Sequence, residues 1–143
     1  DNARTPVQWT NEKNAGFTSE EPWFGVNPNY PEINVESQLE DENSLLNFYR
    51  KALKFRKEHE VCIYGDYKEH LPKSEELYVY ERNLGRQKLL VICSFTEDAV
   101  RFDAPEGIDL DKGTQVLGNY ESCFVIGNGF TTRPYEMRIY YFD

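Results

Sequence analysis

The spacing of apolar residues divides the chain into three stretches. Residues 1–40 show no regular alternation, and they hold four of the seven prolines and both tryptophans. Residues 41–59 place apolar side chains at helical spacing, whereas short β-rich runs follow one another from residue 61 onward. A linker would have nothing against which to bury large rings. The pattern therefore predicts a long ordered loop, then one helix, then an all-β domain beginning near residue 60.

The predicted helix carries an apolar stripe and signals at both ends. Asp41, Asn43 and Ser44 offer side-chain oxygens that could cap its first turn. Basic residues fill its second half, where they would favour the negative end of the helix dipole. The stripe consists of Leu45, Leu46, Phe48, Tyr49, Ala52, Leu53, Phe55 and Arg56.

Eight short runs with strand-like composition follow the helix. Turn-forming residues separate them, which is typical of an antiparallel sandwich or barrel, and we predict an antiparallel β-sandwich. One run, 89–93, is continuously apolar and should be a central strand. The predicted strands are Val61–Tyr64, Tyr67–Leu71, Leu77–Arg82, Lys88–Phe95, Ala99–Phe102, Gln115–Gly118, Phe124–Ile126 and Arg138–Phe142. Gly127, Asn128 and Gly129 are predicted to form a hairpin turn.

Charge and cysteine usage narrow the classes of function. The net charge of −9 disfavours nucleic acids and anionic membrane surfaces as partners. No apolar run reaches the roughly 18 residues that a membrane span requires. Cys62, Cys93 and Cys123 are widely separated and odd in number, so a disulfide framework is not predicted. Cys62 and Cys93 lie in apolar runs and should be buried, which favours a reducing, cytoplasmic setting.

No cluster of residues has the spacing of a catalytic or metal site. The 25 acidic residues include no obvious pair for glycoside hydrolysis, and most lie in runs typical of solvated faces. His59 and His70 are isolated and are predicted to lie on the surface. The stretch beginning at Asp109 resembles only the start of a calcium loop, so an acidic turn is favoured. We predict no metal site and no cofactor.

The first nine residues, DNARTPVQW, resemble the D-N-A-R-T-P-M-Q-W signature of family 13 glycoside hydrolases of the oligo-1,6-glucosidase subfamily. Val7 stands where methionine is usual. Further similar blocks follow in the family's order across the chain. They are Asn14–Thr18, Pro22-Trp23, Val26–Tyr30, Glu32–Val35, the helix carrying Tyr49, Leu53, Arg56 and Lys57, the strand Leu89–Ile92, and Arg133–Glu136.

The resemblance implies a (β/α)₈ barrel followed by an antiparallel β-domain. Residues 1–59 would then be the terminal loop and last helix of the catalytic barrel, and residues 60–143 the C-terminal domain. The family's nucleophile and acid/base residues precede this region, so no catalytic residue is expected here. Arg4 is the one candidate for a supporting role, as an ion-pair partner beneath the substrate site.

The implied function is retaining hydrolysis of α-glucosidic bonds, with α-1,6 favoured, at the non-reducing ends of oligosaccharides. The chain starts at Asp1, and its single methionine is Met137, so we expect a fragment that is inactive without the missing barrel. Trp9, Phe17, Trp23 and Phe24 should then be mobile, or packed on the β-domain or on a second copy. Trehalose-6-phosphate hydrolase and dextran glucosidase are alternatives, as is a stand-alone carbohydrate-binding β-module.

Overall fold

The computed structural model describes residues 4–121 and 124–143, which fold into helices and two antiparallel sheets. The chain divides into two compact units between Lys54 and Phe55. The helices are α1 (Val35–Glu40), α2 (Leu45–Glu58) and α3 (Val61–Tyr64). The strands are β1 (Asp66–His70), β2 (Leu77–Leu84), β3 (Gln87–Ser94), β4 (Arg101–Asp103), β5 (Thr114–Gly118), β6 (Gly129–Thr131) and β7 (Met137–Phe142).

The first unit contains a helix where the sequence predicted only loop. Asn34 caps α1, because its Oδ1 accepts a hydrogen bond from the backbone N–H of Ser37 at 2.8 Å. The carbonyl of Gln8 accepts from the N–H of Val35 at 2.8 Å. These bonds fasten the start of the chain to the start of α1, so much of this segment is organised by its own backbone.

A tight turn precedes α1 and depends on left-handed backbone. Asn14, Ala15 and Gly16 have φ values of 55°, 56° and 64°. The carbonyl of Ala15 accepts hydrogen bonds from the N–H groups of Trp9 (2.9 Å) and Thr10 (3.1 Å). Ala15 itself is buried. The two hydrogen bonds help to hold a conformation that is costly for L-residues other than glycine.

Helix α2 begins later than the sequence predicted. Ser44 is the residue that caps it, since its Oγ accepts from the N–H of Asn47 at 3.2 Å. Gln38 reinforces the cap by accepting from the N–H of Leu46 at 3.0 Å. The stripe residues Leu45, Tyr49 and Leu53 are exposed.

The second unit is an antiparallel sandwich, as predicted. The larger sheet has five strands in the order β1-β2-β3-β7-β5, and the smaller sheet pairs β4 with β6. The run predicted to be central is β3, which lies between β2 and β7 and is almost fully buried. One face of the large sheet shares a core with the small sheet and a nearby loop. That core contains Leu77, Val79, Leu90, Ile92, Phe102, Ile108, Leu110, Phe130 and Tyr140.

The opposite face of the large sheet is partly covered by α3. Our prediction of a strand at Val61–Tyr64 was wrong, because a short apolar run does not distinguish a strand from a buried helical turn. Val61 and Cys62 pack against Leu89 and other residues of this face. Arg82 stabilises the turn by donating to the carbonyl of Gly65 at 2.7 Å.

A second strand prediction was also wrong. Phe124–Ile126 forms no strand, and the side chains of Phe124 and Ile126 are exposed. Strand β6 lies just beyond and begins at Gly129, which was predicted to be the last residue of a turn. It pairs with β4 so closely that a Cβ atom on Gly129 would clash with the carbonyl oxygen of Phe102. Only glycine fits at this position.

Histidine and cysteine environments differ in part from expectation. His70 is not on the surface, because only 11% of its side chain is exposed. His59 is half-buried and stacks on an aromatic neighbour at 3.9 Å. Cys62 is buried as predicted, whereas Cys93 is half-exposed, and both thiols are free. Cys123 lies outside the described residues.

Candidate functional site

A cavity of about 240 Å³ lies in the first unit, beside the signature sequence. It combines aromatic rings, prolines, one hydroxyl and one guanidinium. Its lining residues are Arg4, Thr5, Pro6, Phe17, Pro22, Trp23 and Phe24. The cavity therefore brings the predicted Arg4 together with one of the two tryptophans, while Asp1, Asn2 and Ala3 of the signature fall outside the described residues.

Stacked rings form one wall of this cavity. The rings of Trp23 and Phe24 lie 5.7 Å apart at an interplanar angle of 15°. The guanidinium carbon of Arg4 lies 5.0 Å from the centroid of the Phe24 ring, within cation–π range. Trp23 is 90% exposed and offers nearly its whole surface for a further contact.

The residues of this cavity are suited to binding a ligand and not to transferring a proton. Flat rings suit the apolar face of a ligand, and Arg4 and Thr5 can hydrogen-bond its polar groups. The residues that line the cavity include no carboxylate. The predicted ion pair of Arg4 remains a prediction. Trp23, Phe24 and Phe17 were not predicted as site residues, although two tryptophans in a polar, proline-rich segment were a signal that this loop packs on something.

Two buried carboxylates lie in the second unit, and each forms ion pairs with neighbouring basic groups. Glu136 has no exposed side-chain surface, and its Oε1 accepts from Arg138 Nε and Arg133 Nη2, each at 2.8 Å. Arg138 is itself 3% exposed and lies over the ring of Phe130, 3.6 Å from its centroid. In the Arg133–Glu136 block that resembles the family, Arg133 therefore helps to clamp the buried carboxylate of Glu136.

The other buried carboxylate is Glu81 on β2. Its Oε2 lies 3.2 Å from His70 Nε2 and 3.6 Å from Lys88 Nζ, and its Oε1 lies 3.7 Å from Lys68 Nζ. Asn83 donates to Oε1 at 3.2 Å. These groups tie the edge strand β1 to β2 and β3.

Neither carboxylate has the protonation behaviour of a catalytic acid. Burial acts to raise the pKa of Glu136, but hydrogen bonds from Arg133 and Arg138 outweigh it and hold the pKa below its usual value. Burial likewise acts to raise the pKa of Glu81, but interactions with Asn83 and His70 outweigh burial, so the pKa of Glu81 also lies below its usual value. A general acid at neutral pH needs a raised pKa. Both groups serve the fold.

The chain should lose stability in acid because of these two groups. Their lowered pKa values mean that the unfolded state binds protons first, so the stability they provide is present above about pH 4.5 and is lost as the pH falls through the folded-state pKa. Urea unfolding between pH 6 and pH 3 measures this slope. Glu81→Gln and Glu136→Gln should each flatten it, and the exposed control Glu106→Gln should not. An unchanged slope in both buried variants would contradict the assignment.

The chain is similar to proteins that act on α-glucosides. The model described as the α-amylase catalytic domain matches residues 1–65. The oligo-1,6-glucosidase of Halalkalibacterium halodurans is 42% identical over 144 residues, which cover 98% of this chain and 25% of that protein. Almost the whole chain is thus similar to part of a glycosidase, and its first 65 residues are similar to the α-amylase catalytic domain.

Proteins with other names resemble the chain to a similar degree. The trehalose-6-phosphate hydrolase of Escherichia coli is 38% identical over 136 residues, or 24% of its length. The crystal structure of the Bacillus licheniformis trehalose-6-phosphate hydrolase superposes with a TM-score of 0.90 at 40% identity, covering 99% of this chain and 26% of that one. An isomaltulose synthase from Klebsiella sp. LX3 has the same TM-score at 34% identity.

The chain spans about a quarter of the length of the curated relatives that it matches. The family resemblance and the mainly antiparallel β fold predicted from the sequence are both confirmed. Within residues 4–121 and 124–143, no helix is both long and apolar enough to cross a membrane.

Proposed function

We propose that this chain is the C-terminal part of an α-glucosidase that releases glucose from the non-reducing ends of oligosaccharides, α-1,6-linked ones foremost, with retention. The observation that carries the proposal is the near-complete alignment with one quarter of an oligo-1,6-glucosidase at 42% identity. The parent enzyme's substrate would be an α-glucosidic oligosaccharide, and its setting the cytoplasm, which the free thiols of Cys62 and Cys93 support.

Retaining hydrolysis needs two carboxyl groups about 5–5.5 Å apart, one attacking the anomeric carbon and the other protonating the leaving oxygen. Glu81 and Glu136 do not form such a pair, since each is neutralised by its own cluster of basic groups. The reacting carboxylates would therefore come from the other three quarters of the parent enzyme. The 143-residue chain should not hydrolyse a glucoside by itself.

The cavity around Arg4 gives the chain a supporting part in this function. Residues 1–59 would complete the barrel, and its last βα-loop would lie at the C-terminal face where barrel enzymes place their active sites. Arg4, Trp23 and Phe24 would then border the substrate site without entering the chemistry. Residues 60–143 would form the separate C-terminal domain.

An activity assay tests the proposal directly. The purified chain should release no p-nitrophenol from p-nitrophenyl α-glucoside above background. Joining it to the N-terminal three quarters of the Halalkalibacterium halodurans enzyme, at the start of the aligned region, should give an active chimera, because the missing carboxylates are then present. Turnover by the chain alone would contradict the proposal, and so would a folded chimera without activity.

A trehalose-6-phosphate hydrolase is the second candidate. It is favoured by the TM-score of 0.90 and the 40% identity to the Bacillus licheniformis enzyme of that name. The same identity, 40%, relates the chain to the oligo-1,6-glucosidase of Bacillus cereus. Two chimeras, built on the catalytic regions of one relative of each kind, separate the candidates. The better-fitting parent should retain its own catalytic efficiency with this chain attached, whereas the other should lose it through poorer packing.

A further inference from the structure

We propose that Gln8 is a positioning residue for the substrate site, because its side-chain amide fixes the stretch of chain that brings Arg4 and Thr5 to the cavity. This inference rests on the proposed function and deepens it, since it names a group that determines how well the substrate is bound without touching the substrate. Gln8 belongs to the signature sequence, but it is not among the residues that line the cavity.

The Gln8 side chain joins two separate stretches of the first unit. Its Nε2 donates one hydrogen bond to Asn29 Oδ1 at 3.0 Å and another to the carbonyl oxygen of Ile33. A primary amide has two N–H donors, so both are used. The backbone adds a third bond, since the carbonyl of Gln8 accepts from the N–H of Val35 at 2.8 Å. These three hydrogen bonds are called the Gln8 clip below.

The far side of the Gln8 clip is a turn that its own hydrogen bonds keep in place. The N–H of Asn29 donates to Asn27 Oδ1 at 3.3 Å, and the carbonyl of Asn29 accepts from the N–H of Ile33 at 2.9 Å. Asn34 is only 4% exposed, and its Nδ2 donates to the carbonyl of Tyr30 at 2.9 Å. The clip therefore fastens Gln8 to a well-braced part of the unit.

A displacement at Gln8 would reach the cavity through a short, stiff connection. Arg4, Thr5 and Pro6 line the cavity and lie just before Gln8 in the chain. Pro6 is buried, and its ring fixes φ at about −65°, so the backbone between Thr5 and Gln8 has little freedom to absorb a shift. Loss of the clip would therefore move the Thr5 hydroxyl and the Arg4 guanidinium relative to a bound ligand.

A different amide fixes the aromatic wall of the cavity. Asn14 Nδ2 donates to the carbonyl of Glu20 at 2.8 Å and to that of Thr18 at 3.2 Å, just before Pro22 and Trp23 in the chain. Loss of the Gln8 clip would leave these bonds in place. The cavity would keep its apolar contacts and lose the polar contacts that orient a ligand.

Steady-state kinetics distinguish positioning from general stability. Arg4 and Thr5 carry no reacting group, so they would hold the substrate equally in the ground state and in the transition state. Their displacement should therefore raise KM and leave kcat unchanged. A variant that only unfolds part of the enzyme lowers kcat in proportion and leaves KM unchanged.

The test measures glucose release from isomaltotriose by the chimera with the Halalkalibacterium halodurans catalytic region. Gln8→Met keeps the length of the side chain and removes both donors, so it should raise KM about tenfold while kcat changes less than about twofold. A misplacement of 1 Å can cost about 100-fold, and the remaining backbone bond to Val35 limits the shift. Gln8→Lys returns a donor and should recover part of the loss.

Gln38→Met is the matched control. Gln38 is also a half-buried amide, but its Oε1 accepts from the N–H of Leu46 at 3.0 Å and supports the start of α2. Its replacement should lower stability and leave KM unchanged. Should Gln8→Met not fold, Asn29→Ala removes the acceptor on the other side of the clip and should raise KM in the same way.

Each outcome assigns the failure to one claim. An unchanged KM in Gln8→Met, or an equal rise in Gln38→Met, overturns the positioning role, while the active chimera leaves the proposed function standing. If the chimera with the unaltered chain is inactive, the proposed function fails, and the exchange rate of the Val35 amide proton, measured by NMR in the chain alone, decides on the clip. Gln8→Met should speed that exchange about tenfold, and Gln38→Met should not. An exchange rate in Gln8→Met equal to that of the unaltered chain would overturn the inference.

Discussion

Replacing Glu136 with alanine should cost the chain about 3–5 kcal/mol of unfolding free energy, because it leaves the buried charge of Arg138 without its partner. The side chain of Glu136 is fully buried, and it accepts hydrogen bonds from Arg133 and Arg138 at 2.8 Å. Water cannot replace the lost carboxylate around a guanidinium that is only 3% exposed. Urea unfolding monitored by circular dichroism at pH 7 measures the effect.

Two variants separate the loss of the ion pair from the effects of a changed side-chain shape and of any carboxylate removal. Glu136→Gln keeps the shape and one acceptor oxygen, so it should lose less than the alanine variant. Glu106→Ala removes an exposed carboxylate and should change stability by no more than about 0.5 kcal/mol. A loss below 1 kcal/mol in Glu136→Ala would show that the clamp does not hold the fold.

The second large effect is expected at the contact between the two sheets. Phe102 is fully buried on β4, and its ring centroid lies 5.2 Å from that of Phe130 on β6. Phe102→Ala should cost about 3–5 kcal/mol, since it removes the ring and leaves a cavity that a two-stranded sheet cannot close by shifting. Thermal and urea unfolding both report it, with the m-value showing whether unfolding stays two-state.

Phe102→Leu, which keeps most of the volume, should recover much of this loss. Phe95→Ala is the exposed control of the same residue type, and it should be nearly neutral. If the two alanine variants had equal stability, the small sheet would not contribute to the core in the way described here.

The sequence predicted the elements whose own pattern is long and regular. Helix α2 has four turns of consistent periodicity, and its ends differ from the predicted 41–59 by four residues at the start and one at the end. Three candidate caps precede the helix, and Ser44 makes a capping bond to Asn47. Strand β3 was recognisable from five consecutive apolar residues, which are typical of a central strand buried on both faces. Such elements depend little on distant contacts.

Short elements were missed because distant contacts determine them. Val61–Tyr64 folds as a helical turn, and one contributor is Arg82, about twenty residues away, which donates to its last carbonyls. Phe124–Ile126 has strand-like composition but forms no strand, whereas Gly129–Thr131, whose first residue was predicted to end a turn, pairs with β4. Pairing partners are not visible in a local pattern.

The candidate site was predictable only through the resemblance. The signature sequence pointed to Arg4, but the stacking of Trp23 on Phe24 follows from the course of the loop, which no spacing rule gives. The burial of Glu81 and Glu136 was equally hidden, because an acidic residue in a sequence gives no sign of the basic groups that the fold will place around it.

The close approach of β4 to Gly129 limits how this domain can be altered. Any side chain at that position would push the two short strands apart, and Phe102, carried by β4, would move out of the core with its strand. Attempts to stiffen the domain by exchanging flexible glycines for alanine, a common route to heat-resistant enzymes, should therefore leave this position alone. Gly85, a left-handed turn residue with open space around it, is unsuitable for a different reason, since its φ of +60° excludes most replacements.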